Sequence, residues 1–349
     1  MPRNIARSVG GALFTGLLAL AAMVPTAWFA LYLAFADRWW WLFVANSLAP
    51  VLFMPLPVAL VLAWFSRKRR VFLALLVPSG VAAFLWLGTF LPARAMGPAI
   101  PDRGSTITVM TFNVEAGNRD LDDLEAAILG SGAQLVALQE LNEDVGVALA
   151  ERLKATHPYA DLAPCPPCGD WGSLGVLSAF PLEPLAADLG GPSERNPQLT
   201  LVHHPRGDVL LVNVHNLSTP RFPQIWPAEI TRSIGSREAV AEALAELARN
   251  TSTPLLAVGD FNTTERSGAY RTITRELEDS WRALGFGFGS TFHGGAPEGS
   301  PARFSLPSWL LRIDYVFHSR DLTTLSVKVA PWRHASDHRP VTAVVSFSD

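Results

Sequence analysis

Long apolar runs dominate the first 91 residues of the chain, and a different pattern follows them. The runs cover Gly11 to Ala36, Trp39 to Phe65 and Val71 to Leu91, and none of them contains a charged side chain. About 20 helical residues cross a bilayer core of roughly 30 Å, so each run is long enough to span a membrane. The sequence therefore predicts a membrane region, residues 1–91, with three transmembrane helices at about 11–36, 39–65 and 71–91.

Two of these runs have an alternative interpretation. The second run contains Pro50, Pro55 and Pro57, which predict a kink of the kind that membrane helices tolerate when neighbours satisfy the freed carbonyl groups. The first run also fits a secretory signal peptide ending near residues 26–30. We favour a membrane span because two further apolar runs follow it.

Basic residues indicate the orientation of the membrane region. Arg3 and Arg7 precede the first run, and Arg67, Lys68, Arg69 and Arg70 separate the second run from the third. Lys and Arg in short loops stay cytoplasmic, so the N-terminus is expected inside and everything after Leu91 outside. A nucleic-acid patch is the alternative for the basic quartet. Trp39, Trp40 and Trp41 suit the membrane interface.

A segment rich in Pro and Gly, residues 92–105, reads as an extended linker of at most roughly 50 Å, and a globular pattern follows it over residues 106–349. Strands are predicted at 107–114, 134–141, 172–180, 198–204, 209–216, 255–258, 313–317, 322–330 and 340–347. Helices are predicted at 120–129, 144–155 and 229–249. Strand–helix alternation mixed with hairpin-like strand pairs predicts an α/β fold, a sandwich of two sheets with helices outside.

The run Leu255 to Val258 is the clearest buried strand of this domain, and Asp260 and Asn262 follow it. Residues two apart in extended backbone point the same way, so a carboxylate and an amide are expected to share one space while Phe261 faces the core. Such a pair can orient a water molecule. A plain turn is the alternative interpretation of Gly-Asp-x-Asn.

Polar residues recur at the ends of the other predicted strands. The full set consists of Asn113, Glu140, His215, Asp260, Asn262, Asp314, Asp337 and His338. Buried carboxylates repel each other, so a cluster of this kind needs a cation or mutual pairing.

Composition adds little to this picture. Hydrophobic residues make up 49% of the chain and charged residues 17%, and the net charge of −3 provides no basic field for nucleic acid. Cys165 and Cys168 resemble a redox motif but lack a following helix, and two thiols cannot complete a zinc site, so a local disulfide is expected on an exported domain. The remaining histidines are expected to be structural or on the surface: His157, His203, His204, His293, His318 and His334.

Six motifs lie in order along the domain: Thr-Phe-Asn113-Val, Leu-Gln-Glu140-Leu, Val-His215-Asn, Gly-Asp260-Phe-Asn262, Arg312-Ile-Asp314-Tyr-Val-Phe and Ser336-Asp337-His338-Arg-Pro-Val. With a weaker motif at 175–181, they resemble the endonuclease/exonuclease/phosphatase superfamily over roughly residues 106–348. This superfamily includes deoxyribonuclease I, abasic-site endonucleases, sphingomyelinases and inositol polyphosphate phosphatases. The resemblance implies a deoxyribonuclease I-like sandwich.

The resemblance also implies roles for the strand-end residues. Glu140 would bind Mg²⁺ or Mn²⁺ with Asn113 beside it, and Asp337 would be a second ligand of metal or water. Asp260 and Asn262 would hold the attacking water and a phosphate oxygen. His338, oriented by Asp314, would contact the phosphoryl group, and His215 would bind the phosphate from the opposite side. Glu115 is either a supporting carboxylate or a solvated loop acid.

These expectations define a membrane-anchored, metal-dependent hydrolase of phosphate esters, with a phosphodiester preferred. An extracytoplasmic nuclease, a phosphomonoesterase and a non-enzymatic binding module on a membrane scaffold are the alternatives. Because the linker holds the domain near the bilayer, we expect a lipid-borne or membrane-proximal substrate. The apolar segment after His215, with Phe222, Ile225 and Trp226, is expected to present it, although packing against the next helix is an equally simple interpretation.

Overall fold

The computed structural model describes residues 2–91, 105–163, 172–192, 195–219, 226–292, 311–331 and 336–348. Several sequence expectations fall outside these residues: the pairing of Cys165 with Cys168, the placement of Phe222 and Ile225, His293 and His334, and the linker up to residue 104. The chain divides into two compact units, Met1–Leu91 and Pro92–Asp349.

The N-terminal unit is entirely helical. Its helices are α1 (Pro2–Phe35), α2 (Trp40–Ser47), α3 (Ala49–Phe53), α4 (Leu56–Phe65) and α5 (Arg69–Trp86), with a 3₁₀ turn at Leu87–Phe90. Two stretches are long and apolar enough to cross a membrane, Val9–Phe35 and Arg69–Phe90. The stretch between them is bent by 68° where Trp40–Ser47 meets Ala49–Phe65, so it is either a broken third span or a re-entrant loop.

The prolines explain why the second apolar run is broken rather than kinked once. Pro50 and Pro57 each lie in the first turn of a helix, α3 and α4, where a missing N–H costs nothing.

A buried polar group, the Asn46 side chain, fixes the turn between α1 and α2. Asn46 accepts from Trp28 Nε1 at 3.0 Å and donates to Asp37 Oδ1 at 2.6 Å.

The second unit contains two six-stranded sheets. The first has the order β11-β12-β1-β2-β4-β3 and the second the order β5-β6-β7-β8-β10-β9. The strands of the first sheet are β1 (Thr106–Asn113), β2 (Leu135–Leu141), β3 (Tyr159–Ala163), β4 (Ser173–Ser178), β11 (Leu322–Val329) and β12 (Val341–Phe347). Those of the second are β5 (Leu182–Leu185), β6 (Gln198–His204), β7 (Gly207–His215), β8 (Leu255–Asp260), β9 (Glu278–Asp279) and β10 (Asp314–His318).

The helices of this unit are α6 (Leu121–Ser131), α7 (Glu143–Arg152), α8 (Pro227–Asn250), α9 (Gly268–Ile273) and α10 (Ser280–Leu284). One apolar cluster joins the facing sides of the two sheets, for example Val109 and Ala137 with Leu211 and Val258. Residues of α6 and α7 pack on the outer side of the first sheet, and residues of α8 on the outer side of the second. The expected α/β sandwich of two sheets flanked by helices is therefore confirmed.

Two parallel strand pairs determine where the polar strand ends lie. β1 is parallel to β2 with Asn113 opposite Gln139, and β7 is parallel to β8 with His215 opposite Asp260. The carboxyl ends of parallel strands meet at one edge of a sheet. Polar residues at the ends of these four strands are therefore brought to one end of the sandwich.

Candidate active site

Asn113 connects the two sheets at this end of the sandwich. Its Nδ2 donates to Glu140 Oε1 and to Asp260 Oδ2, both at 3.1 Å, and its Oδ1 accepts from the Glu115 backbone N–H at 3.1 Å. The side chain is completely buried. One amide thus fixes two carboxylates that come from different sheets.

A second polar link lies one layer deeper. Gln139 Nε2 donates to Asn213 Oδ1 at 2.8 Å, and Asn213 Nδ2 lies 3.1 Å from the Leu138 carbonyl and 3.2 Å from that of Gly175. Both side chains are fully buried between apolar residues. Because buried amides must keep their partners, this link holds the ends of β2 and β7 in register across the sandwich.

Asp260 and Asn262 share one space, as the sequence predicts, while the Phe261 ring is buried in the core. Asn262 donates to Asp260 twice, from its backbone N–H at 2.8 Å and from Nδ2 at 3.0 Å. The two side chains do not meet through the alternation of an extended strand, as was expected, because the Asn262 backbone is left-handed with a φ of 49°. A tight turn, not a continued strand, brings the amide back to the carboxylate.

His338 and Asp314 form a buried pair. His338 Nδ1 lies 2.9 Å from one Asp314 oxygen and 3.1 Å from the other. Its Nε2 faces Asp260 Oδ2 and Asp337 Oδ1, each at 3.8 Å. Asp314 fixes the ring so that Nε2 points to the carboxylate held by Asn113. The loop is tied to β1 by Ser336, whose hydroxyl donates to the Asn113 carbonyl at 2.7 Å.

His215 lies on the opposite side of Glu140. Its Nε2 is 3.3 Å from Glu140 Oε1 and 3.9 Å from Asp260 Oδ2. Arg195, a residue that the sequence motifs did not identify, is itself buried and places Nη1 2.6 Å from Nδ1 and 2.5 Å from Nε2 of the His215 ring. The only available signal was an arginine in the polar segment before β6. With Arg195, a guanidinium charge lies beside the carboxylate cluster.

The pKa shifts follow from these contacts. Burial alone would raise the pKa of Glu140, but N–H groups of His215, Asn113 and Ala116 hold it well below its usual range, so Glu140 is ionised. Burial lowers the pKa of His215, and Arg195 adds to the lowering.

Asp260 and His338 are shifted in a way that suits acid–base chemistry. Burial raises the pKa of Asp260 to about 7, with Asp314 and Glu140 adding to the rise and His338 opposing it. Burial alone would lower the pKa of His338, but the charges of Asp314, Asp260 and Asp337 raise it to about 10. A carboxylate with a pKa near 7 can accept a proton from water at neutral pH, and a protonated imidazole can stabilise a phosphoryl oxygen.

The side chains of this site fit a hard divalent cation. Glu140, Asp260, Asp314 and Asp337 are four carboxylates within one cluster, and Arg195 and His338 supply the positive charge. Three of the predicted residues, Asp260, Asp314 and His338, offer ligand atoms within 4.8 Å of one another. Hydrogen bonds between His338 and Asp314 already account for the closeness of these atoms without a metal ion. Glu140 is the ionised carboxylate with the most exposed side chain of this cluster, at 21%, and oxygen ligands suit Mg²⁺ or Mn²⁺.

Left-handed backbone is concentrated at the site. Among the described residues, five that are not glycine have a positive φ, and three of them are Glu115, Glu140 and Asn262. Glu140 lies in the irregular stretch where the β2–β4 register shifts between Leu138 and Leu141. This bulge turns the Glu140 carboxylate towards Asn113. Glu115 contributes its backbone N–H to the site through the contact with Asn113.

A buried network of charged residues lies behind the site. Arg312 donates from Nε to Glu265 at 2.9 Å and from Nη1 to Asp279 at 3.0 Å, and Arg282 also pairs with Glu265. The Arg312 guanidinium lies 4.4 Å from the centre of the Tyr315 ring. Arg312 is two residues before Asp314, and Glu265 is three residues after Asn262, so the network joins two segments of the candidate site.

The described histidines outside the cluster behave as expected. His157, His204 and His318 are buried, and His318 Nε2 lies 2.8 Å from Thr324 Oγ1. His203 is partly exposed and lies 3.0 Å from Asp208.

Trp226, from the apolar segment after His215, is 65% exposed at the start of α8.

One end of the two-sheet sandwich thus carries carboxylates, amides and a buried Asp–His pair, and the family comparison assigns the domain to a class of phosphoesterases and nucleases. The sequence profile of the Endonuclease/Exonuclease/phosphatase family matches residues 110–338. The chain belongs to this family, whose members are generally hydrolytic and dependent on a divalent metal.

Solved structures share the fold. TDP2 from C. elegans is 18% identical, with a TM-score of 0.53, over 79% of this chain and 84% of that one. An endonuclease/exonuclease/phosphatase from Bacteroides vulgatus is 17% identical, with a TM-score of 0.52, over 70% and 100%. D. rerio TDP2 complexed with single strand DNA product is 15% identical, with a TM-score of 0.52, over 69% and 99%. No curated protein matches the chain.

Proposed function

We propose that this chain is a membrane-anchored, divalent-metal-dependent phosphodiesterase that cleaves a lipid-borne or membrane-proximal phosphodiester by attack of an activated water. The observation that carries the proposal is the meeting of Glu140, His215, Asp260 and His338 around the Asn113 amide. Hydrolysis of a phosphodiester needs a positioned water, charge neutralised on the phosphate and a stabilised leaving oxygen.

Residues of the site are available for the water and for the phosphate charge. Asp260, held by Asn262, accepts the proton of the attacking water, and protonated His338, oriented by Asp314, contacts the phosphoryl group. His215 and Arg195 bind the phosphate from the other side. A bound Mg²⁺ or Mn²⁺ would be held by Glu140 with Asn113 beside it and with Asp337 as a further ligand of metal or water, and it would supply charge neutralisation.

The membrane topology follows from a short argument. Among the described residues after Lys68, Arg69–Phe90 is the one stretch able to cross a membrane, and it precedes the phosphoesterase-like domain. If the quartet stays cytoplasmic and α5 spans, the domain is outside whether the bent stretch before α5 is a span or a re-entrant loop. Only the side of the N-terminus changes: a third span places it inside, as the sequence predicts, and a re-entrant loop places it outside.

The membrane-proximal substrate is supported by the chain length between span and domain. Residues 92–104 connect Leu91 to Ser105, and 13 residues of chain reach at most roughly 47 Å. The domain is therefore tethered within that distance of the bilayer. The exposed Trp226 ring precedes α8.

The test is a substrate panel with the purified full-length protein in lipid vesicles. Vesicle phospholipid, single-stranded DNA, a small soluble diester and a phosphomonoester are compared with Mg²⁺, with Mn²⁺ and after chelation. Turnover is expected to need the metal and to be fastest on the vesicle phosphodiester. Asp260→Ala, Glu140→Ala and His338→Ala should each lose on the order of 10² to 10⁴ in rate with unchanged circular dichroism. Faster cleavage of DNA than of any lipid would replace the lipid proposal with a nuclease, and near-normal turnover of Asp260→Ala would refute the site.

A further inference from the structure

A short loop after α10 displays two phenylalanine side chains to solvent. In the segment Gly285-Phe286-Gly287-Phe288-Gly289, the Phe286 side chain is 68% exposed and that of Phe288 is 41% exposed. Two neighbouring exposed phenylalanines in one five-residue loop are unusual for a soluble surface. They lie outside the catalytic machinery described above.

The backbone of this loop packs against the Trp281 side chain. The indole Nε1 donates to the Gly287 carbonyl at 3.1 Å. A Cβ at Gly285 or at Gly289 would come within 2.3 Å of the indole ring. The glycines thus let the backbone of the loop lie directly on the indole ring. Between them, the Phe286 and Phe288 side chains keep 68% and 41% of their surface exposed.

The same loop continues directly into the candidate active site. Three residues after the last glycine, the Phe292 ring lies 4.7 Å from the His338 ring. Thr291 accepts the Arg339 backbone N–H at 2.8 Å. Phe288 is four residues from Phe292, and four residues of chain span at most about 14 Å. The exposed rings therefore lie beside the phosphoryl-binding end of the domain.

We propose that Phe286 and Phe288 insert into the surface of the bilayer that anchors this chain and bring the site to the level of lipid headgroups. The segment Ala283 to Phe292 contains no charged residue, whereas a nucleic-acid contact beside the site would need basic side chains. The chain carries two helices able to cross a membrane. Aromatic side chains buried 5–10 Å or so at the headgroup boundary are typical of interfacial contacts. This inference deepens the proposed function by naming the substrate as membrane lipid.

The test uses a probe that needs no turnover. In full-length protein with Cys165→Ser and Cys168→Ser, a fluorophore is attached at Phe286→Cys or, as the control, at Val147→Cys. Val147 is also an exposed hydrophobic residue, at 57%, but lies on α7. In vesicles, the label at position 286 should be quenched by acyl-chain bromines and shielded from aqueous iodide. The label at position 147 should show the reverse.

A second variant measures the consequence for turnover. Phe286→Ser/Phe288→Ser should lower kcat/KM for vesicle phospholipid by at least about tenfold, the factor that corresponds to losing one buried aromatic side chain, and leave the soluble diester unchanged. Equal quenching at positions 286 and 147 would overturn the inference even if lipid is hydrolysed. Shielding of position 286 by single-stranded DNA rather than by lipid would also overturn it. Lipid quenching at position 286 without any phosphodiesterase activity would instead refute the proposed function and keep the membrane contact.

Discussion

Gly172 sets the position of the Glu140 carboxylate, and replacing it with alanine is the sharpest test of the site geometry. Gly172 has a φ of 67° and lies against the bulge in β2 that contains Glu140. A Cβ there would be 2.4 Å from the Glu140 carbonyl carbon and 2.6 Å from its oxygen. Both atoms belong to the backbone, so no flexible side chain can move aside.

The expected effect can be worked from these distances. Reaching the 3.4 Å of an ordinary contact requires Glu140 or Gly172 to shift by about 1 Å. A displacement of about 1 Å in a catalytic group typically costs on the order of 10²-fold in rate. We therefore expect Gly172→Ala to lower kcat by about that factor. The left-handed φ adds a stability cost of roughly 1–2 kcal/mol.

Gly132 provides a matched control. It caps α6 with a φ of 68°, and a Cβ there would meet nothing within 4 Å. Gly132→Ala therefore carries the same backbone cost without the contact. Both variants would be assayed as full-length protein for kcat, KM and thermal unfolding, with the best substrate of the panel. If kcat of Gly172→Ala stayed within about threefold of that of Gly132→Ala, the position of Glu140 would not limit catalysis, and the reasoning would fail.

Three further predictions concern stability and topology. Arg312→Lys keeps the charge but loses the forked contacts with Glu265 and Asp279, so denaturant unfolding should show a loss of about 3 kcal/mol; a loss below about 1 kcal/mol would contradict a structural role for the network. Burial holds the pKa of His318 below its ordinary value, so the neutral ring stabilises the fold above about pH 6.5 and this stabilisation is lost as the pH falls. The wild type should therefore lose stability between about pH 7 and 5 more steeply than His318→Gln, and equal slopes would contradict the assignment. A reporter fused after Ser105 should be active only if it works outside the cytoplasm, and one fused after Arg70 only if it works inside, and the opposite pattern would overturn the proposed topology.

Long and strongly patterned elements could be predicted from the sequence. β6 was predicted with the bounds that it has in the structure, and β8 was predicted two residues too short, because the predicted strand stopped before Gly259. The edge strands β3 and β5 were missed because they are short and contain no buried residue, with a proline in β5. α9 and α10 span six and five residues, too few for a helical period to appear.

The site was predictable where a side chain follows an apolar strand and not where the backbone departs from regular structure. Asn113, His215 and Asp260 each end a strand in the structure. The left-handed turn at Asn262 and the bulge at Glu140 have no signal in the hydrophobic pattern. Arg195 was missed because only the folding of its loop onto β7 brings the guanidinium to His215. The break between α2 and α3 could not be predicted either. Pro50 lies in the first turn of a new helix, but the apolar composition of this run would be the same if Pro50 only kinked a continuous helix.

The left-handed residues at the site imply a conflict between durability and catalysis. Glu115, Glu140 and Asn262 each hold a conformation that costs a residue with a side chain on the order of 1 kcal/mol or more. Glycine would adopt the same φ without that penalty, but at positions 140 and 262 it would remove the carboxylate and the amide. A laboratory selection for heat resistance alone would therefore tend to replace these residues, and the hardiest descendants would be inactive proteins with an intact sandwich.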